Sequence, residues 1–334
     1  MGKPSATIAR MPLERIRFRT VVLTAWVLLA IAAVVYTRIK SIPASIAAPV
    51  AAAFLLEFPF YLFPAFAGMR AGLSRRPRTV QAGVMVFASI LPWIVLSVGT
   101  GTATLANAGL LLSVVAGVSF WYIVLPASAV TDVGFLAIVT ALIAGKFFDT
   151  VYLSPIPKVS LSILGHVMLI RTGALAILQF RAGPTPEYRF LPTRGEWLNG
   201  AKYFVYSLPL IVGAYWALGL VELRQQPYNL LQALGTFFGI LWVVALSEEF
   251  FFRGLLQQWL ETWTSRPAAA IVVASIAFGL VHLDMHHQFP NWRFATVAAI
   301  AGFFYGLSWR TARSVQSSMV THALIVTLWK SFLR

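Results

Sequence analysis

Long apolar runs recur along the chain, separated by short polar or basic connections. They cover about 20–36, 44–66, 80–98, 103–125, 133–148, 159–180, 203–221, 230–252, 268–283, 294–310 and 315–332. Most approach the roughly 20 residues that a helix needs to cross a bilayer; the run at 133–148 is short. Ten-residue segments with strand-like alternation are absent, which argues against a membrane β-barrel. Backbone groups in lipid must be hydrogen-bonded within their own segment. The pattern therefore predicts an all-α fold, a polytopic transmembrane helical bundle of about ten spans. No internal repeat stands out.

The pattern breaks at residues 181–202, RAGPTPEYRFLPTRGEWLNGAK, which is rich in Pro, Gly and charge. Such composition marks a boundary. It divides the chain into N-terminal helices of unknown role at 1–195 and a second domain at 196–334. Charge then sets the orientation. Lys3, Arg10, Arg15, Arg17 and Arg19 precede the first run, Arg38 and Lys40 follow it, and Arg70, Arg75, Arg76 and Arg78 follow the second. The positive-inside rule places the N-terminus and the 70–78 loop in the cytoplasm. The first run meets Arg38 and Lys40 rather than a small-residue cleavage site, so it reads as an uncleaved helix.

Composition narrows the function class. The chain is 334 residues, 59% hydrophobic and 11% charged, with a mean hydropathy of +0.77, which excludes a soluble globular enzyme and a disordered chain. Its formal net charge of +15 would suggest nucleic acid in a soluble protein. Here the basic residues lie between apolar runs, where they set topology and meet anionic lipid, so no nucleic-acid partner is expected. The absence of cysteine excludes disulfides, thiol nucleophiles and cysteine metal sites.

Ionisable residues within apolar runs are costly and are functional candidates. Two of the 11 acidic residues are adjacent, Glu248 and Glu249 in ALSEEFFFRGLL, and four of the five histidines lie between 282 and 322. Glu249 and Arg253 are four apart and can pair on one helix face. Glu248 lies about 100° around the helix and is left free to face a cavity or take a proton. The bland alternative is a solvated Glu–Arg pair at a helix end. His282 follows Phe278 by four residues, which places that ring beneath it, and His322 lies well inside the last run. Imidazole and carboxylate suit zinc or another divalent ion, or a metal-free site that activates water. His286 and His287, in the loop HLDMHHQFPNW, read as solvated or lipid-facing. Glu57, Lys146, His166 and Arg171 each stand alone in a run, where structural pairing or snorkelling is the better reading. Gly302 and Gly306 form a GxxxG, a packing feature with little to say about chemistry.

EEFFFR at 248–253, FGLVH at 278–282 and His322 with Ala323 resemble, in order and spacing, three motifs of the CAAX prenyl protease and bacteriocin-processing (CPBP, or Abi) family of intramembrane proteases. The stretch GFFYGLSWRTARSVQSSMVTHA resembles the family's approach to its last histidine. The resemblance covers about 235–330. It implies an intramembrane endopeptidase acting on a hydrophobic or lipidated peptide or protein. Glu248 would be the base that activates water, His282 would help to hold that water, and Glu249 with Arg253 would orient the site. His322 would polarise the scissile carbonyl. Glu248, Glu249, His282 and His322 are the ligand set for a divalent metal such as zinc, if the mechanism uses one. The family usually places Asn or Asp four residues after the last histidine, and this chain has Val326. Thr327 is one residue off that face.

Three other readings compete. A pseudo-protease that binds hydrophobic tails as an immunity or scaffold protein is favoured by Val326. A transporter would show inverted repeats, which are not evident. A serine protease would need a Ser–His pair from separate elements, whereas Ser317 and Ser318 share a run with His322.

Overall fold

The computed structural model describes residues 6–156, 160–183, 185–285 and 289–333, with side chains from Glu14 onward. His286 and His287 lie outside the described residues. The chain divides into two compact units, Met1–Gly183 and Pro184–Arg334. The division falls inside the Pro- and Gly-rich segment 181–202.

The first unit contains α1 (Ala6–Lys40), α2 (Ala44–Leu62), α3 (Ala67–Leu73), α4 (Arg78–Gly99), α5 (Leu105–Val124), α6 (Ala129–Ala144), α7 (Phe147–Val151) and α8 (Ser162–Phe180). The run expected at 133–148 is interrupted by a turn at Gly145 and Lys146, the latter in the left-handed region at φ 54°. The most enclosed element is α8, with α2, α4, α5 and α7 around it. From Met168 to Ile177 every residue is buried. Gly165 gives the Phe148 ring room to lie against α8, a space that any Cβ would fill.

Two charges inside this apolar unit find each other. Arg171 Nε donates to Glu57 Oε1, and Nη2 reaches Glu57 Oε2 at 3.1 Å and the Ala88 carbonyl at 2.9 Å. A second buried acid, Asp132, is held by Arg181 through Nε at 2.9 Å and Nη2 at 2.6 Å, with the Tyr122 hydroxyl donating at 2.8 Å.

The second unit contains α9 (Arg194–Ala217), α10 (Leu230–Thr264), α11 (Pro267–Leu280), α12 (Trp292–Ala312) and α13 (Val315–Phe332). Capping boxes start α9 at Thr193 with Glu196 and α10 at Asn229 with Gln232, satisfying donors that a helix start leaves free. Residues 185–193 pack with this unit: the Tyr188 ring lies edge-on to Phe250, and Gln316 Nε2 donates to the Arg189 carbonyl. Glu196 accepts from Arg189 Nη2, at 2.7 Å, and from the Ser314 hydroxyl that caps α13. The far end of α13 is pinned where Arg224 N donates to Phe332 O at 2.9 Å.

Among the described residues six helices are long and apolar enough to cross a membrane, those at Glu14–Lys40, Ala44–Ala65, Arg78–Gly99, Leu105–Val124, Ser162–Phe180 and Leu230–Thr264. This is fewer than the expected ten. Residues 129–144 and 267–280 form shorter apolar helices, and α12 and α13 carry internal polar residues that lower their hydropathy. The all-α class holds.

The Glu57–Arg171 pair generates an expected outcome. Arg171→Met leaves a buried carboxylate without its cation and should destabilise the protein by about 3–5 kcal/mol. Adding Glu57→Leu should recover most of the loss. Unfolding in detergent checks both, and equal stability of the two variants would mean the pair is not the cause.

Candidate active site

The site is built around a change of helical pitch in α10. Its stretches Ile240–Ala245 and Phe250–Gln257 widen into π-type turns on either side of Leu246–Glu249. Such wide turns are rare and concentrate at functional sites. On a regular helix Glu248 and Glu249 would point about 100° apart. Here both reach the same imidazole. Glu249 Oε1 lies 2.8 Å from His322 Nδ1, and Glu248 Oε2 lies 3.9 Å from His322 Nε2.

Glu249 and Arg253 have no exposed side-chain surface. Arg253 Nη1 donates to Glu249 Oε1 at 3.3 Å, and its Nε forms an ion pair with Oε2 at 3.2 Å, off the hydrogen-bonding angle. Its Nη2 donates to the Gly302 carbonyl at 2.8 Å. The guanidinium also lies over the rings of Phe278 and Tyr305, 4.7 and 5.2 Å from their centroids, a favourable place for a cation. The expected Glu249–Arg253 pair is therefore present, and Glu249 carries the His322 contact as well.

Glu248 is different. Its side chain keeps 30% exposure, yet Oε2 is buried and has no hydrogen-bond partner. A buried carboxylate oxygen is seldom left this way. The gap to His322 Nε2 is too long for a direct hydrogen bond and short enough for one water to touch both groups.

Aromatic rings fix the imidazole. Tyr305, buried on α12, stacks flat on His322, with centroids 4.6 Å apart and planes at 8°. Phe278 meets His322 edge-on at 5.8 Å. The same Phe278 lies 4.6 Å from the His282 ring, beneath it as the spacing predicts. His282 Nδ1 lies 2.7 Å from the Phe278 carbonyl. A carbonyl only accepts, so Nδ1 carries the proton and Nε2 presents a lone pair. No hydrogen bond joins His282 to either glutamate among the described residues; Phe278 is what links the two histidines.

Glu248, Glu249, Arg253 and His322 thus come together directly, and His282 borders them through Phe278. Tyr305 was not among the sequence candidates, although it lies in the GFFYGLSWR stretch. The role of the GxxxG is also corrected. Gly302 and Gly306 present their carbonyls to Arg253 and to the buried Gln257, the latter at 3.2 Å. A Cβ at Gly302 would stand 2.9 Å from Arg253 Nη2, and one at Gly306 2.8 Å from Gln257 Oε1. Residues 253 and 257 on α10 therefore face 302 and 306 on α12, and only glycine permits this approach.

The serines are engaged elsewhere. Ser317 Oγ bonds Ser308 Oγ at 2.9 Å and accepts from Asn199 at 2.7 Å, while Ser318 Oγ donates to the Val315 carbonyl. Val326 is half-buried on α13, and the neighbouring Thr327 hydroxyl is buried without a partner. For a metal, the donor set fits poorly. Glu249 is occupied by Arg253 and His322, and among the described residues no three His, Asp or Glu side chains cluster to hold one ion.

The second unit is thus a helical bundle with a carboxylate–imidazole centre inside it. Residues 230–328 match the family model described as Rce1-like: Type II CAAX prenyl endopeptidase Rce1-like. The match runs from the start of α10 to near the end of α13, includes all three motifs, and supports the CPBP resemblance. No curated protein and no solved structure matches the chain.

The glycine contact generates the next expected outcome. Gly302→Ala should displace Arg253 and lower both stability and any activity. Gly213→Ala, on α9 with open space around it, should be neutral or stabilising by up to about 1 kcal/mol. Melting of the two variants in detergent checks this, and equal behaviour would remove Gly302 from the site.

Proposed function

We propose that the chain is an intramembrane endopeptidase that hydrolyses a peptide bond of a membrane-associated protein or peptide, with Glu248 as the general base. The observation that carries this reading is the buried, unpartnered Oε2 of Glu248, 3.9 Å from His322 Nε2. In the reaction, Glu248 takes a proton from water and the hydroxide adds to the scissile carbonyl carbon. With a proton on Nε2, His322 donates to the oxyanion that forms. Collapse breaks the C–N bond, and the proton held by Glu248 passes to the leaving amine. Glu249 and Arg253 act as positioning residues: they hold the His322 ring and balance each other's charge. His282 helps to hold the water through its Nε2 lone pair. The donor set favours the version without a metal, since Glu249 is already engaged by Arg253 and His322. The family match and the apolar helices favour a hydrophobic or lipidated tail as the substrate class.

Glu248→Gln should reduce cleavage of a prenylated or hydrophobic reporter peptide by about 10²–10⁴-fold while the protein remains folded. Elemental analysis of the same dialysed, active protein separates the two versions of the mechanism. Full activity without stoichiometric metal and without chelator sensitivity supports the glutamate version. Unchanged cleavage by Glu248→Gln overturns the role of Glu248.

A second reading, a catalytically impaired binding protein, rests on Val326. An oxyanion donor is typically worth about 10²–10³-fold in rate, and valine has none to offer. Val326→Asn should therefore raise the cleavage rate. A folded Val326→Asn protein with an unchanged rate would show that no donor is missing, and inactivity of both forms toward a peptide that binds would favour the impaired reading.

A further inference from the structure

The first unit carries a half-open cleft of about 490 Å³, within the size range of small-ligand sites. Phe18, Phe60, Met69 and Val84 supply apolar walls, and Arg15 and Arg19 line it as well. These two arginines are four residues apart on α1 and share a face. Both are exposed, and among the described residues neither has a carboxylate partner. The acids nearest in the fold are engaged: Glu14 accepts from the Gly68 N–H, and Glu57 is bound to Arg171. Like charges at this spacing repel on a helix, and an anion placed between them would remove that cost.

The walls share one end of the unit. They come from the first part of α1, the end of α2, α3, the early turns of α4 and the second half of α8. The connection at that end carries Arg70, Arg75, Arg76 and Arg78. By the positive-inside rule this is the cytoplasmic end, where the leaflet is rich in anionic lipid.

We propose that this cleft is a binding site for an anionic glycerophospholipid, its phosphate bridging Arg15 and Arg19 and an acyl chain lying along Phe18, Phe60 and Met69. The apolar walls select an amphiphile over a free anion. The two uncompensated charges select an anionic headgroup over a zwitterionic one. Arg171 also borders the cleft, with its charge paired to Glu57 and its Nε and Nη2 engaged by Glu57 and the Ala88 carbonyl.

The full chain, delipidated in detergent, is titrated with dioleoylphosphatidylglycerol, dioleoylphosphatidylcholine or inorganic phosphate, with binding followed by native mass spectrometry and by melting. Saturable retention of phosphatidylglycerol alone is expected. R15Q/R19Q should weaken it by about fivefold for each arginine removed. Val84→Trp, which fills the apolar side and leaves both arginines in place, should weaken it too, and it carries the test if the double variant melts early without lipid. Equal retention of phosphatidylcholine, or retention of phosphatidylglycerol unaffected by these variants, overturns the proposal. Inorganic phosphate binding as tightly as the lipid overturns it in favour of a free-anion site.

Discussion

Arg253 has no exposed surface, and a charge so placed must be neutralised and hydrogen-bonded where it stands. The architecture of the second unit follows from that requirement. Glu249 supplies the counter-charge one turn earlier on α10, Gly302 supplies a carbonyl from α12, and the rings of Phe278 and Tyr305 close over the cation from α11 and α12. Four helices are thereby committed to one arrangement, because the fourth, α13, brings His322 to the same carboxylate. The charge holds the imidazole indirectly, through Glu249. Glu248 is left with a partly exposed side chain and an oxygen that has nothing to bond.

The same constraint acts in the first unit with a different result. Glu57 and Arg171 satisfy one another and the Ala88 carbonyl, while Asp132 is covered by Arg181 and Tyr122. These clusters leave no carboxylate oxygen without a partner. They read as structural for that reason. What separates them from the Glu248 site is the orphan oxygen beside a histidine, since a buried polar atom without a partner implies a proton, a water or a ligand.

Much of the candidate site was legible in the residues. The four-residue spacing of Glu249 and Arg253 foretold their pair, and that of Phe278 and His282 foretold their stacking. Charged residues in apolar runs pointed to helices that meet at this cluster. Tyr305 was not legible, because an aromatic residue in an apolar helix has no pattern that separates a packing ring from one stacked on an imidazole. The GxxxG was legible as close packing and not as a pair of carbonyl acceptors, since that depends on which helix lies opposite. The span count was not legible in the same way: hydropathy alone marks six helices among the described residues, and runs such as 315–332 carry serines, threonine and histidine that lower theirs.

Local periodicity and the cost of exposing polar backbone to lipid determined the all-α class, and composition marked the segment 181–202 within which the two units divide. Those rules act within a few turns of one helix and so can be read from one helix at a time. Only the tertiary structure decided that Glu57 meets Arg171 across 114 positions, and that two successive glutamates reach the same imidazole. The first depends on which helices become neighbours, and the second on α13 setting His322 so that Glu249 meets its Nδ1 and Glu248 lies nearer its Nε2. Both are set by the need to pair buried charge across helices, a demand that no single segment records.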